Sequence, residues 1–237
     1  METVHSNNRT LPLSARLPGL AGLAVFVFVT VLVQTRLLAG LDSAVAFWMA
    51  SLAPGPLLSI STAFSIAFSA ELSLIWAVTA GLVLWRRGLG LWSMAPLAFL
   101  IVTPVEILMK LIIEQPGVPE ELHRSVYYPL TTLDLTGSFP SGHAIRSGFF
   151  CAFAGVLLRS SGGKMGRIAP FTFAFLAGLA GFTRLYLGVH WLTDVVAGLV
   201  LGASVGLEMG LLAPAQAANG PGTASSQQIQ RHKPEGA

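Results

Sequence analysis

Long apolar stretches recur along this chain and limit the folds available to it. A helix needs about 17–25 mostly apolar residues to cross the hydrocarbon core of a bilayer. Hydrophobic residues make up 53% of the 237 residues and charged residues 11%, whereas a soluble domain carries about 25% charged residues. The sequence therefore predicts an all-α fold, a polytopic membrane protein built as a bundle of six transmembrane helices. The predicted spans are residues 18–39, 62–85, 93–113, 141–159, 168–187 and 190–213.

A shorter amphipathic segment follows the first predicted span. Residues 41–52 carry Asp42 near their start and Trp48 within, and Pro54 and Pro56 follow. This pattern is typical of an interfacial helix that lies in the membrane surface. Most tryptophans fall near predicted span ends, as interfacial anchors do: Trp48, Trp76, Trp85, Trp92 and Trp191.

The chain divides into three predicted parts. Residues 1–17 form a cytoplasmic N-terminal segment, residues 18–213 the six-span domain, and residues 214–237, rich in Gly, Ser, Gln and Pro, a disordered cytoplasmic tail. Arg9 and Arg16 before the first apolar stretch leave a cleaved signal peptide as an alternative. That stretch exceeds the 7–15 apolar residues of a signal peptide and ends without a small-x-small cleavage site, which favours a retained helix.

The basic residues in the loops predict the orientation of the chain. Nine of the fourteen Lys and Arg residues fall on one side, which is predicted to be cytoplasmic together with both termini. Because these charges lie in short loops between apolar segments, the net charge of +3 indicates membrane topology and no nucleic acid partner. The nine are Arg9, Arg16, Arg86, Arg87, Arg159, Lys164, Arg167, Arg231 and Lys233. The single cysteine, Cys151, excludes an intramolecular disulfide and is predicted to be a buried, inert thiol.

Polar residues near the end of the fifth span and the start of the sixth form a first candidate constellation. Thr183 and Arg184 are followed by His190 and Asp194. On a helix, His190 and Asp194 would share a face and touch. A carboxylate that accepts one imidazole N–H fixes the tautomer and raises the basicity of the other nitrogen, as a nucleophilic histidine requires. The alternative for this pair alone is a structural His–Asp cap in the bundle.

A second constellation opens the fourth span. Pro140 precedes Ser141 and Gly142, whose backbone N–H groups and hydroxyl at a helix start suit an anion. His143 beside them is placed to protonate a leaving alkoxide, although the same residues also form an ordinary helix N-cap. Lys110, near the outer end of the third span, either snorkels to the interface or reaches a phosphate.

Together these residues resemble the three-part signature of the type 2 phosphatidic acid phosphatase superfamily. The first part begins at Lys110, the second is Pro140-Ser141-Gly142-His143, and the third is Thr183-Arg184-x5-His190-x3-Asp194, with Thr183 where Ser is common. The resemblance covers about residues 40–210. The family includes membrane lipid phosphatases, undecaprenyl diphosphate phosphatases, glucose-6-phosphatase and vanadium haloperoxidases. The last are disfavoured because the chain is too small and too apolar.

The first part of the signature departs from the family pattern of Lys, six residues, then Arg-Pro. Counted from Lys110, Gly117 and Val118 stand where Arg-Pro is expected, and Pro119 follows. A guanidinium that would bind phosphate in a bidentate, charge-assisted way is therefore missing from its usual place. Arg124 in the same outer loop and Arg146, one turn after His143, are two candidates to replace it.

The resemblance implies a mechanism. His190 attacks phosphorus and forms a phosphohistidine, Asp194 orients it, and His143 protonates the leaving oxygen and then helps to activate water. No metal or other cofactor is expected, because the histidines and acids form no plausible closed ligand set. The residues implied to hold the phosphate oxygens are Lys110, Ser141, Gly142 and Arg184.

The expected substrate is an amphiphile whose phosphate lies at headgroup level on the outer face. Phosphatidic acid, phosphatidylglycerophosphate and undecaprenyl diphosphate are all compatible, and residues 114–138 are expected to cover the site. The partners are then the lipid substrate and the bilayer, in a bacterial inner membrane with the site facing the periplasm. Three other carboxylates in apolar surroundings are interpreted as structural: Glu71, Glu106 and Glu208.

Three other functions remain open. A lipid-phosphate phosphotransferase would use the same residues, and a non-catalytic protein that binds lipid phosphates would explain the departure at Gly117. A transporter or channel is disfavoured because the sequence contains no internal repeat.

Overall fold

A computed structural model describes residues 12–124, 137–160 and 162–217, and these residues form helices and no strands. The all-α prediction is confirmed. A 3-10 segment, Gly90–Ala98, leads directly into α5, and a 3-10 turn covers Glu120–Leu122. The α-helices are α1 (Leu13–Gln34), α2 (Ala39–Ser51), α3 (Pro56–Ala67), α4 (Ala70–Arg86), α5 (Phe99–Ile112), α6 (Gly142–Arg159), α7 (Gly163–Tyr186) and α8 (Leu192–Ala217).

Within these described residues, four helical segments are long and apolar enough to cross a membrane. A fifth is reached if the bent pair α3 and α4 counts as one span. The helix α6 has 18 residues but is not among them, since His143 and Arg146 make its first two turns polar. The protein is thus an integral membrane protein with four or five spans by length and composition, and the count of six stays a prediction. The four segments are Leu13–Gln34, Gly90–Ile112, Gly163–Tyr186 and Leu192–Ala213.

The predicted continuous helix over residues 62–85 is wrong, because the chain bends by 60° between α3 and α4. Ser69 begins α4 as its N-cap, and its side chain accepts a hydrogen bond from the Leu72 N–H at 3.3 Å. Serine favours this position because its oxygen satisfies an N–H that has no partner within the helix. The bend leaves the carbonyl oxygen of Phe68 available to a side chain of another helix.

The centre of the bundle is α6, which packs most extensively against α8 and then α7. Glycines on α8 allow the two backbones to approach closely. A methyl group at Gly202 would overlap the carbonyl of Ile145, and one at Gly206 would overlap that of Phe149. This close packing fixes the start of α6 relative to the start of α8.

The helix α2 forms close to the predicted residues 41–52, and its Asp42 holds the start of α8. Asp42 is 5% exposed and accepts hydrogen bonds from the Thr193 N–H at 2.9 Å and the Thr193 hydroxyl at 2.7 Å. The Gln115 side chain donates to the same carboxylate at 3.3 Å. A carboxylate at a helix N-terminus is stabilised by the free N–H groups and the helix dipole, so this contact joins α2, the end of α5 and α8.

The helix ends differ modestly from the predicted boundaries. The helix α1 begins at Leu13, before the predicted domain start at residue 18, and α8 continues to Ala217, past the predicted end at residue 213. The remainder of the predicted disordered tail lies outside the described residues. At the far end of the bundle, Glu208 on α8 accepts a hydrogen bond from Arg16 on α1 at 2.9 Å, as the structural interpretation of Glu208 expects.

Candidate active site

The residues of the two complete motifs and Lys110 meet at one end of the bundle. The helices α5 and α7 end there, and α6 and α8 begin there. The Ser141 N–H donates to the carbonyl of Asp194 at 3.1 Å, which ties the start of α6 to the first turn of α8. Lys110, in the last turn of α5, donates to the carbonyl of Ser138 at 3.4 Å.

His190 lies in the turn before α8, so the predicted contact with Asp194 is made from outside the helix. The Nδ1 atom of His190 lies 3.2 Å from Asp194 Oδ2. The same carboxylate oxygen accepts a hydrogen bond from the Trp191 N–H at 3.0 Å. Trp191 is the N-cap of α8 and Asp194 is its third residue, a position from which an acidic side chain commonly binds the N–H of the N-cap residue. With Nδ1–H directed at Asp194, the lone pair of His190 Nε2 is free to act as a nucleophile.

The imidazole of His190 is neutral at pH 7. Burial lowers the pKa of His190 to about 4, against the opposing hydrogen bond and charge of Asp194. A charged imidazole loses more hydration energy on burial than a neutral one, so burial favours the neutral form and lowers the pKa. A neutral ring with an unshared electron pair on Nε2 is the form that attacks phosphorus.

His143 and Arg146 stack one turn apart at the start of α6. Arg146 donates from Nη2 to His143 Nδ1 at 3.3 Å, so the neutral His143 ring carries its proton on Nε2. His143 Nε2 is buried and has no partner among the described residues at hydrogen-bond distance and angle, although the Ser65 backbone lies close enough to interact with the ring. Arg146 also donates from Nε to the Phe68 carbonyl at 2.9 Å, the oxygen that the α3–α4 bend leaves available. The His143 Nε2–H is therefore a proton donor held in one orientation.

Arg184 is the most enclosed cation of the site, with 8% of its surface exposed. Its Nη1 donates to the Ser65 hydroxyl at 2.6 Å. Its Nε is buried and has no protein partner within the described part of the chain. A guanidinium held on one edge by Ser65 can present its remaining donors to an anionic group.

Ser141 and Gly142 form the start of α6 as predicted. The Ser141 hydroxyl accepts a hydrogen bond from the Ala144 N–H at 3.4 Å. A methyl group at Gly142 would overlap the carboxylate of Glu106, and Glu106 Oε2 lies 3.7 Å from Arg146 Nη1. Glu106 therefore pairs with a neighbouring helix, as its structural interpretation expects, and its carboxylate also borders the motif. The Glu106–Lys110 spacing of four residues on one helix was the signal that could have indicated this.

Arg124 makes its side-chain hydrogen bonds at the end of α2, its Nη1 is buried without a partner among the described residues, and its phosphate contact stays a prediction. Its Nη2 donates to the carbonyls of Met49, Ala50 and Leu52 at the end of α2, at 3.1, 2.5 and 2.7 Å. Its guanidinium also lies over the ring of Tyr186, 4.5 Å from the ring centre. Cationic donors stabilise the free carbonyls at a helix C-terminus, so Arg124 anchors α2 to α7.

Ser138 joins Lys110 to Asp194 and was not identified from the sequence. Its hydroxyl donates a short hydrogen bond to Asp194 Oδ2, and its carbonyl accepts from Lys110 Nζ at 3.4 Å. Its N–H donates to the carbonyl of Gln115 at 2.9 Å, and 6% of its surface is exposed. A loop serine gives no periodic signal, and only its position two residues before Pro140 indicated a role.

Among the residues that the structure describes, no group of three or more His, Cys, Asp or Glu side chains is placed to hold a metal ion. The predicted independence from metal remains to be tested by experiment.

Comparison with known proteins places the chain in a family. A search of curated protein sequences finds no match. Among solved structures, a crystal structure of a transmembrane PAP2 type phosphatidylglycerolphosphate phosphatase from Bacillus subtilis is similar, with a TM-score of 0.64 and 19% sequence identity. The match covers 91% of this chain and 98% of that one, and it shows a shared fold. The family model of the PAP2 superfamily matches residues 90–216, which is more than half of the chain, and the protein therefore belongs to the PAP2 superfamily.

Proposed function

We propose that this protein is a membrane lipid phosphatase that hydrolyses a phosphomonoester or diphosphate of an amphiphilic lipid through a phosphohistidine on His190. The observation that carries the proposal is the His190–Asp194 contact beside the buried cation Arg184. Membership of the PAP2 superfamily and the similar fold of a phosphatase support the reaction class.

The reaction proceeds in two displacements. His190 Nε2 attacks phosphorus in line, the P–N bond forms, and the bond from phosphorus to the leaving oxygen breaks as the imidazolium form of His143 gives its Nε2 proton to that oxygen and becomes neutral. Water then attacks the phosphohistidine while the neutral His143 ring accepts one of its protons on Nε2 and becomes imidazolium again. The P–N bond breaks, inorganic phosphate leaves, and both histidines return to their starting states, so the net reaction consumes one water molecule.

The cationic and N–H donors of the site stabilise the charge that develops on phosphorus oxygens. Lys110, Arg184, Ser141 and the Gly142 N–H are proposed to hold these oxygens. Arg146 stays a candidate for a phosphate contact, and its hydrogen bond to Nδ1 of the neutral His143 ring gives it a second role in positioning that ring.

We also propose that the site faces the outer side of a bacterial inner membrane. The six-span domain at residues 18–213 then counts the α3–α4 pair and α6 as one span each, and α2 lies in the interface. The cluster of Arg and Lys residues at the ends of the helices opposite the site supports cytoplasmic termini. A Glu120→Cys substitution in a Cys151→Ser background tests this orientation. A thiol reagent that cannot cross the membrane should label this cysteine on intact cells.

A non-catalytic lipid-phosphate-binding protein is the second candidate, favoured by the glycine at position 117. The deciding experiment measures phosphate release by the purified protein in detergent with EDTA present. Phosphatidic acid, phosphatidylglycerophosphate and undecaprenyl diphosphate are tested in parallel, with and without an alcohol as phosphate acceptor. Release of inorganic phosphate supports the hydrolase, transfer to the alcohol supports a phosphotransferase, and no turnover of any lipid would leave the binding protein.

Activity should survive well below the usual pKa of histidine. Because burial lowers the pKa of His190 to about 4, the nucleophile stays neutral as pH falls from 7 and is lost only as pH falls through about 4. We expect kcat/KM to keep an acid limb near that value. Measuring the profile with two substrates whose phosphate pKa values differ distinguishes ionisation of the enzyme from ionisation of the substrate. Only a limb caused by the substrate moves when the substrate is changed. An enzyme limb near 6.5 would contradict a buried neutral His190.

Ser138→Ala should lower kcat about 10- to 100-fold, because a hydrogen bond to a charged group contributes roughly 1.5–3 kcal/mol. Ser138 touches Asp194 and Lys110 rather than the reacting atoms, so it is a positioning residue. The pH profile should also change, since Asp194 without this donor attracts the His190 proton more strongly and the acid limb rises. Ser160→Ala at the other end of α6 is the matched control. An unchanged kcat and profile in Ser138→Ala would refute the role.

A further inference from the structure

Arg36, in the connection between α1 and α2, is a basic residue that the motifs do not explain. It was one of five basic residues outside the predicted cytoplasmic loops. Of the other four, Lys110 and Arg184 belong to the proposed site, Arg146 binds His143, and Arg124 binds the end of α2. The side chain of Arg36 is exposed at the same end of the bundle as the active site.

Arg36 borders two adjoining cavities that lead to Lys110. The first has a volume of about 200 Å³ and is walled largely by apolar residues, among them Val33, Leu38 and Trp191. The second shares Arg36 and Pro116 with the first and is lined on its other side by Lys110. Arg36 and Lys110 both line the second cavity, and the apolar wall belongs to the first. This arrangement suits the phosphate of an amphiphile, whose oxygens bind the two cations while carbon atoms contact the wall of the adjoining cavity.

The backbone of Arg36 gives a second, independent observation. Its φ angle is +57°, and among the described residues it is the one non-glycine residue with a positive φ. This left-handed conformation is unfavourable for a residue with a Cβ, and glycine or asparagine adopts it more readily. Arg36 is the left-handed residue that closes α1, since its N–H donates to the Val33 carbonyl at 2.9 Å and the Leu37 N–H donates to the Leu32 carbonyl at 3.1 Å. Glycine is the usual residue at such a position, and here an arginine side chain occupies it instead.

Acidic side chains also lie around these cavities. The oxygens of Asp42 accept hydrogen bonds from Thr193 and Gln115. Glu114 is exposed and borders both cavities. Among the residues lining the second cavity, Arg36 and Lys110 face one carboxylate, Glu114, whereas Glu106 and Asp194 also interact with Lys110.

Position 117 itself has room for a side chain. Gly117 is exposed, and a Cβ added there would have no atom within 4 Å. The preceding Pro116 lines both cavities, so a long side chain at position 117 starts beside the same space that Arg36 borders. An arginine at position 36 and an arginine at position 117 would therefore each place a guanidinium in the same space.

We propose that Arg36 binds a phosphate oxygen of the lipid substrate together with Lys110, and so supplies the guanidinium that residue 117 lacks. This inference rests on the proposed function, because it concerns the same substrate phosphate. It makes the α1–α2 connection part of the binding site.

The kinetic test compares substitutions at Arg36 on a phosphatidic acid substrate. Arg36→Ala should raise KM about tenfold or more, since each lost charge-assisted contact weakens binding by that order, while Arg87→Ala at the opposite end of the bundle leaves KM unchanged. Arg36→Gly relieves the backbone strain, so it should keep or raise the melting temperature while KM still rises. A normal KM in both variants would overturn the proposal. It would also be overturned if Arg36→Ala raised KM and lowered the melting temperature, while Arg36→Gly restored both.

A more specific test asks whether an arginine at position 117 restores the wild-type KM lost in Arg36→Ala. Adding Gly117→Arg to Arg36→Ala should return KM to within roughly threefold of the wild-type value, because the guanidinium re-enters the same cavity. Adding it to the wild type should change KM less. A KM that stays high in the double variant would refute the idea that Arg36 stands in for residue 117.

A binding measurement separates this inference from the proposed function. His190→Ala protein is titrated with nanodiscs containing phosphatidic acid or only phosphatidylcholine, with and without Arg36→Ala. Preference for phosphatidic acid that falls about tenfold with Arg36→Ala supports the inference even if the wild type hydrolyses no lipid. Equal preference in both proteins overturns it even if hydrolysis is found.

Discussion

His190→Ala should abolish phosphate release, with kcat falling by at least about 10³–10⁴-fold. The loss of a nucleophile removes the covalent route, and the remaining donors support only slow direct attack by water. The variant should still fold, because the His190 side chain contacts Asp194 and the Ser138 hydroxyl at the rim of the bundle rather than its packed centre. Acid quenching of the wild type during turnover should trap a phosphorylated protein, and the variant should trap none.

A matched histidine gives the control for this result. His123, exposed in the outer connection, contacts the carbonyl of Val118 and lies outside the proposed machinery. His123→Ala should therefore keep nearly full activity. A His190→Ala protein that retained more than about a tenth of wild-type turnover would refute the phosphohistidine mechanism, whatever the substrate.

His143→Ala should lower turnover of alkyl phosphate lipids by about 10²–10⁴-fold, the usual contribution of a general acid. The reason is that an alkoxide leaves poorly unless it is protonated, and His143 Nε2–H is the donor that Arg146 holds in place. An aryl phosphate such as p-nitrophenyl phosphate needs little protonation to leave. We expect the loss on that substrate to be at least tenfold smaller.

The ratio of the two losses decides the role of His143. Equal losses on the lipid and on the aryl phosphate would show that His143 binds phosphate rather than protonating the leaving group. Substituting Arg146 provides a related check, since Arg146→Leu removes the donor to His143 Nδ1 and frees the other tautomer. A general acid held by Arg146 predicts that this variant also loses more activity on the lipid than on the aryl substrate.

Much of the site was accessible from the sequence because its residues lie at fixed positions on the ends of helices. His143 and Arg146 are one turn apart on α6, and Asp194 lies four residues after His190, so local geometry alone brings each pair into contact. Apolar length similarly indicated most of the helices. The bend at Ser69 was missed because most residues around it are apolar or small, and only the capping hydroxyl and Glu71 in the first turn of α4 mark the break.

The residues that the sequence could not identify act across the bundle. Ser138 and Asp42 reach α8 from a loop and from α2, and Glu106 reaches the start of α6 from α5. These contacts join residues 52 to 151 positions apart in Ser138–Asp194, Ser138–His190 and Asp42–Thr193. No periodic pattern encodes such pairs, because they depend on how whole helices dock.

The arginines also show the difference between what the sequence indicates and what the tertiary structure determines. The sequence indicated that a guanidinium is missing at position 117 and gave Arg124 and Arg146 as two candidates to replace it. Tertiary structure placed Arg124 at the carbonyls that end α2, and it placed Arg36, which was not a candidate from the sequence, at the cavity that Lys110 also lines. Motif spacing and apolar length determine chemistry and membrane insertion because both are local properties of the chain. Which cations face the substrate depends on helix packing, and so only the folded bundle decides it.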